Sequence, residues 1–217
     1  GMHRHCLAAA ALVAAVGAAG CRVKETTHRL YLAPSGAVAW AVLEEGVRST
    51  ENDRAKRASD EREWLAAIAR DAHPVAEGLR RLGAAEASTT LLRPARPYMV
   101  LTDARFERVD RVITRLCEEV GLRGGAALTV NGRETTLSLV LDLDSLDDPG
   151  PEQESPVTAL VEDVERYRFV LTEGRFVSAT GFGILDGETA AMLQEIPSDI
   201  LKARAVVNLQ LVWRVTP

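Results

Sequence analysis

The chain has 217 residues, 47% of them hydrophobic and 26% charged, with a formal net charge of −5. These are ordinary globular values, and the length suffices for one well-cored domain or two small ones. The acidic balance argues against a nucleic-acid binder, which carries a basic face, and gives no sign of a polybasic membrane patch.

Met2 to His5 form a short n-region with Arg4 as its fixed side-chain charge, and Cys6 to Val16 is an unbroken apolar run. The small residues Gly17 to Gly20 follow. A charged start, a short apolar core and a small-residue cleavage zone are the pattern of a secretory signal peptide. The run falls short of the ~20 apolar residues that span a bilayer.

Ala18-Ala19-Gly20 stands immediately before Cys21. This resembles the lipobox of bacterial lipoproteins, departing from it at Ala18, where that family prefers leucine. The resemblance implies that residues 1–20 are a cleaved signal peptide. It implies that Cys21 is lipidated on its thiol and becomes the first residue of an extracytoplasmic domain, 21–217. The lipid would then be the attachment to the membrane. Arg22 occupies the position where aspartate is the family's inner-membrane retention signal, which implies the outer membrane in a host that has one. Ordinary cleavage nearby, leaving a free Cys21 thiol, is the alternative. Loss of the leader removes Arg4 and leaves the remainder slightly more acidic. Cys117 is then the one remaining cysteine besides Cys21, so no intramolecular disulfide is expected.

Lys24 to Ala33 and Ala37 to Glu45 read as strands joined by the turn Pro34-Ser35-Gly36. Leu30 and Leu32 share a face of the first; Val38, Trp40 and Val42 share a face of the second. A hairpin starting beside Cys21 leaves little tether. Thr50 to Asp71 reads as a helix with a Thr50/Asp53 capping pattern. Its first half is charged and solvated; Trp64, Leu65 and Ile68 dock the second. His73-Pro74 breaks it, and Pro74 starts a short helix with Val75, Leu79 and Leu82 on one face and Gly83 as its stop.

Ala87 to Leu92 and Tyr98 to Leu101 read as short strands around a proline-bearing kink. Asp103 to Val120 carries Phe106, Val109, Ile113, Leu116 and Cys117 at helical spacing and ends at Gly121. Cys117 lies on that stripe as a small core residue. Asn131-Gly132 is a hairpin turn between Ala126–Val130 and Arg133–Leu143, where Leu137, Leu139, Leu141 and Leu143 alternate with polar neighbours. Residues 144–155 form an acidic loop, and Val157 to Val164 a short helix. Glu165–Thr172 and Arg175–Leu185 read as a hairpin across Glu173-Gly174, and Thr189 to Ile196 as one more helix. The last strand is clear: Ala205, Val207, Leu209, Leu211, Trp213 and Val215 face one way. The expected fold is α+β, a largely antiparallel sheet of hairpins with helices packed on one face. A subdivision near 144–155 is the alternative.

Asp142, Asp144, Asp147 and Asp148, with Glu152, form the one candidate metal cluster. Calcium takes several oxygen ligands from a loop, but EF-hand spacing fails beyond the opening D-x-D, and a solvated loop is the simpler reading. Thr180-Gly181-Phe182-Gly183 does not open a helix, so it reads as a bulge or close backbone approach rather than a phosphate cradle. His28 and His73 have no nucleophile signature beside them, and no catalytic residue is assigned. Two functions remain: a lipid-anchored binding or envelope-assembly module meeting an envelope protein partner, or a small anchored enzyme such as a hydrolase. The second requires His28, His73 or the Asp142/Asp144 carboxylates to converge on one pocket.

Overall fold

The computed structural model describes residues 22–145, 167–185 and 187–215. The chain opens on a hairpin of β1 (Arg22–Leu32) and β2 (Val38–Ser49), closed by backbone bonds across Pro34-Ser35-Gly36. Helices α1 (Arg54–Ala69) and α2 (Pro74–Arg81) lead into a second hairpin, β3 (Glu86–Arg93) and β4 (Tyr98–Phe106). Helix α3 (Val109–Glu119) precedes a third hairpin, β5 (Arg123–Asn131) and β6 (Glu134–Asp142), turned at Asn131-Gly132 as the sequence predicts. A single 3-10 turn, Leu143–Ser145, ends this part. The remainder comprises β7 (Tyr167–Leu171), β8 (Arg175–Thr180), β9 (Phe182–Ile184), β10 (Ala190–Leu193), α4 (Ser198–Lys202) and β11 (Val206–Arg214).

The described strands form two sheets. One has the order β3-β4-β2-β1-β7-β10-β9; the other is β5-β6-β11-β8. Described pairings are antiparallel except that of β1 with β7, which is parallel. The fold is α+β. Strands from both sides of the 144–155 stretch enter both sheets, and the inner faces of the two share one hydrophobic core. Leu30, Trp40 and Phe169 contribute from the first sheet; Leu139, Leu211 and Trp213 contribute from the second. Helix α2 and helix α3 complete that core with Leu79 and Ile113.

Alternation explains why these segments are strands. Val38, Trp40 and Val42 are buried while Ala39 is exposed, and in β11 Val207, Leu209, Leu211 and Trp213 point inward between exposed Asn208 and Gln210. β11 lies between β6 and β8, so the terminal strand is interior to its sheet.

Five expectations are corrected. The helix expected over Asp103–Val120 is half strand: β4 runs to Phe106 with Val100, Thr102, Ala104 and Phe106 buried in a period of two, and the helix begins at Val109. Phe106 satisfied both periods, and pairing with Val38 on β2 decides it. The helix expected over Thr189–Ile196 is instead β10, held between β7 and β9. Glu173-Gly174 does not turn a hairpin, because β7 belongs to the first sheet and β8 to the second. The strand expected over Arg175–Leu185 breaks at Gly181, whose φ is +74° and where a Cβ would overlap Leu209. The chain changes sheets there, which is the close approach the sequence signalled. Finally, the N-cap of α1 is Asp53, which accepts a bond from the Lys56 amide at 2.8 Å, not Thr50. The helix expected over Val157–Val164 lies outside the described residues.

Candidate functional site

The β1–β2 hairpin carries two different interiors along its length. Near its Arg22 end, β2 does not stop at Glu45 but continues to Ser49 through a bulge. Glu44 pairs with Val100 and Val47 with Tyr98, so two residues of β2 oppose one of β4. Gly46, at φ +65°, supplies the left-handed turn that this requires. Strict alternation from Glu44 would send Arg48 inward. The bulge buries Val47 and Ser49 instead and leaves Arg48 exposed. β1 also shifts register between Val23 and Glu25, opposite the bulge.

The side chains gathered there are charged. Glu44 is 1% exposed and accepts an ion pair from Lys24 of β1 on Oε1. Its Oε2 lies 2.5 Å from Nε2 of His73, the N-cap residue of α2, which is 2% exposed. Burial alone would push the Glu44 carboxyl up; Lys24 and then His73 outweigh it and bring it down to about 2. The ring of Trp64 meets His73 edge-on at 5.9 Å, and Nδ1 of His73 is buried without a hydrogen-bond partner among the described residues. Beside this group, Arg22 pairs with Asp60 of α1. Glu61 of α1 accepts from the Ser49 amide at 3.1 Å and pairs with Arg96 at 3.0 Å. Val47, Trp64 and Val100 make a small apolar cluster between these polar contacts.

The other half of the hairpin faces an apolar cavity of about 110 Å³. Leu30, Trp40, Ile113, Leu139, Phe169 and Leu209 are among its walls, so β1, β2, α3 and both sheets contribute. Half-buried Leu116, Val120, Leu141 and Leu193 form its rim. The wall is almost wholly carbon. The polar edge of Trp40 is turned aside, its Nε1 donating to Nδ1 of His28 at 3.2 Å, and His28 stacks on Tyr167 with centroids 4.2 Å apart. Cys117 is buried on the α3 side of the cavity, as its place on the apolar stripe predicts, and burial raises its thiol pKa. A protonated thiol is a poor nucleophile.

The sequence-derived candidates do not come together. His28 sits behind the cavity wall and His73 at the bulge. Asp142 pairs with Arg123 at 2.9 Å, and Asp144 lies 3.8 Å from Arg204. Asp147 and Asp148 fall outside the described residues. Among the described residues no group of three or more His, Cys, Asp or Glu is placed to hold a metal ion, and no helix is long and apolar enough to cross a membrane. Sequence reading missed Glu44, although a signal existed. It is the next inward position after Val38, Trp40 and Val42, and Gly46 marks the bulge that follows. The cavity had no such signal, because its walls come from segments far apart in the chain.

No family model matches the chain, and no curated protein matches it. Among solved structures, the NMR structure of the folded domain of the LppM protein of Mycobacterium tuberculosis is similar at 10% identity, covering 93% of this chain and 95% of that one, with a TM-score of 0.39. A likeness at that level decides nothing about this chain.

Proposed function

We propose that this protein is an envelope lipoprotein, anchored through Cys21, whose domain binds an apolar ligand of the acyl-chain class in the cavity between its sheets. The observation that carries the reading is the carbon-lined cavity itself. At roughly 24 cal/mol per Å³, unfilled space of this size costs a fold on the order of 2–3 kcal/mol. A cavity of ~150 Å³ with similar walls accepts a benzene-sized apolar molecule. Each methylene moved from water into such a site is worth about 0.8 kcal/mol. With no charged group on the wall, the site selects hydrocarbon and leaves any polar head at the rim. The placement of His28, His73, Asp142 and Asp144 in separate surroundings gives the hydrolase alternative no support.

Trp40 offers a direct test. It is the one of the three tryptophans that lines the cavity. Titration with a brominated fatty acid should quench the Trp40 emission saturably, and Trp40→Phe should remove the quenched component. Absence of saturable quenching in folded protein would rule the ligand class out. Intact mass of membrane-extracted protein tests the anchor separately: a lipid-sized increment on a chain beginning at Cys21 supports it, and an unmodified Cys21 refutes it.

A further inference from the structure

Although the chain is acidic overall, its charge is segregated. Asp60 and Glu61 are the residues of α1 that meet the end of the first sheet, through Arg22 and Ser49. Trp64, one turn later, packs further in, on Val47 and Val100. Residues 54–59 therefore overhang the sheet by about 9 Å at 1.5 Å per residue. This overhang carries Arg54, Lys56 and Arg57 and no acidic residue, and it is exposed or half-buried throughout. Exposed Arg48 of β2 lies at the same end, one register step from Arg22. So does the β3–β4 turn with Arg93 and Arg96, because Val47 pairs with Tyr98 and Arg96 reaches Glu61. The acids at this end are mostly committed. Asp60 and Glu61 hold arginines and Asp53 caps α1; Glu51 remains beside the overhang, and Glu25 and Glu45 face each other further along the hairpin, past Arg48.

We infer that this end of the domain docks on anionic phospholipid headgroups, with Arg54, Lys56, Arg57 and Arg48 facing the bilayer. The inference rests on the Cys21 anchor, since Cys21 is joined by one peptide bond to Arg22 and Arg22 is clamped to the base of the overhang. No linker residue lies between the anchor and β1. Each basic side chain near an anionic surface adds to the attraction, and three together amount to more than tenfold in surface affinity. A lipid on Cys21 fixes distance but not tilt; the basic overhang fixes tilt, standing β1 away from the membrane. The cavity at Leu30 is then held about 26 Å beyond the anchored end of β1, at ~3.3 Å per strand residue.

The test uses the full lipidated chain, verified by mass and reconstituted in vesicles of two parts phosphatidylcholine to one part phosphatidylglycerol. A fluorophore at Ala58→Cys reports proximity to a headgroup quencher; Cys117 is buried and leaves the label site-specific. Strong quenching that falls at least severalfold with added salt, in pure phosphatidylcholine, and in Arg54→Glu/Lys56→Glu/Arg57→Glu is expected. Equal quenching in both vesicle types, or in the triple variant with an unchanged melting curve, would overturn the inference. If the mass shows Cys21 unmodified, the anchor reading has failed. The released chain is then mixed with the same vesicles, where salt-sensitive, phosphatidylglycerol-dependent binding lost in the triple variant retains the basic face and its absence rejects it.

Discussion

The two halves of the β1–β2 hairpin solve the burial problem in opposite ways. Toward Leu32 the inward positions are His28, Leu30, Trp40 and Val42, and the interior is closed mainly by apolar packing, with the Trp40–His28 hydrogen bond at its edge, loosely enough to leave a cavity. Toward Arg22 the inward positions are Glu44, Val47 and Ser49, and the interior is closed by ion pairs and hydrogen bonds to α1 and α2 around one small apolar cluster. Burying charge costs several kcal/mol per ion, repaid only when every partner is present. The polar end is consequently all-or-none, whereas the apolar half tolerates missing volume. The comparison teaches that rigidity here is concentrated next to the proposed anchor, and accommodation is concentrated far from it.

The most severe way to break this contrast is Glu44→Gln. Removing one member of the buried group leaves Lys24 and His73 uncompensated, and a loss of about 3–5 kcal/mol is expected by urea unfolding. Replacing all three together, as Lys24→Met/Glu44→Leu/His73→Leu, should restore most of that loss. If it does not, the charges do more than fill space. The same group sets an acid response. Glu44 titrates at about 2 in the folded protein against 4.5 when free, a lowered value. Its contribution is present above about pH 5 and is lost as pH falls toward 2, on the order of 3 kcal/mol. Glu44→Gln should flatten that part of the stability–pH curve.

Smaller effects sharpen the comparison through one residue type. Gly181→Ala combines positive φ with overlap onto Leu209 in the apolar half, and about 2–3 kcal/mol should be lost. Gly46→Ala has the same sign of φ but open space around the new methyl, so about 1 kcal/mol is expected. Equal costs would mean the two corners are equivalent. Cys117→Leu, which adds volume beside the cavity, should change stability by within about 1 kcal/mol while abolishing fatty-acid quenching of Trp40. Least of all, Arg105→Ala removes an exposed 3.8 Å pair with Glu86 and should shift stability by less than about 0.5 kcal/mol.

Local pattern carried much of this fold. The first hairpin, the Asn131-Gly132 turn, α2 with its Val75/Leu79 face, and β11 were legible because alternation or helical spacing agreed with the turn residues flanking them. Asp103–Phe106 and Ala190–Leu193 were not, because a few residues fit both periods and a partner strand distant in sequence decided between them. The sheet change at Gly181 is a fact about two sheets, and no single-segment pattern encodes it. Of the candidate site, Cys117 as a core residue was legible from its stripe. Glu44 lies inside the strand expected over Ala37–Glu45 and continues its inward alternation, but a carboxylate at an inward position does not reveal which distant partners bury it. The convergence of His73 on Glu44 was hidden by their separation of 29 positions in the chain.

One pairing has a consequence in time rather than in stability. β1 is central to the first sheet, yet its two neighbours come from opposite ends of the chain: β2 follows at once, while β7 begins at Tyr167. The Thr172 hydroxyl that bonds the Leu32 carbonyl is 140 residues away. When residues through Phe106 have emerged, β3, β4, β2 and β1 can assemble, and β1 then presents an open edge. At ~5–20 residues per second, several seconds pass before β7 is made. An unpaired edge of that length is a template for other chains. Slowed emergence of residues 107–166, from the ribosome or across the membrane, should therefore increase aggregation while leaving the finished protein as stable as before.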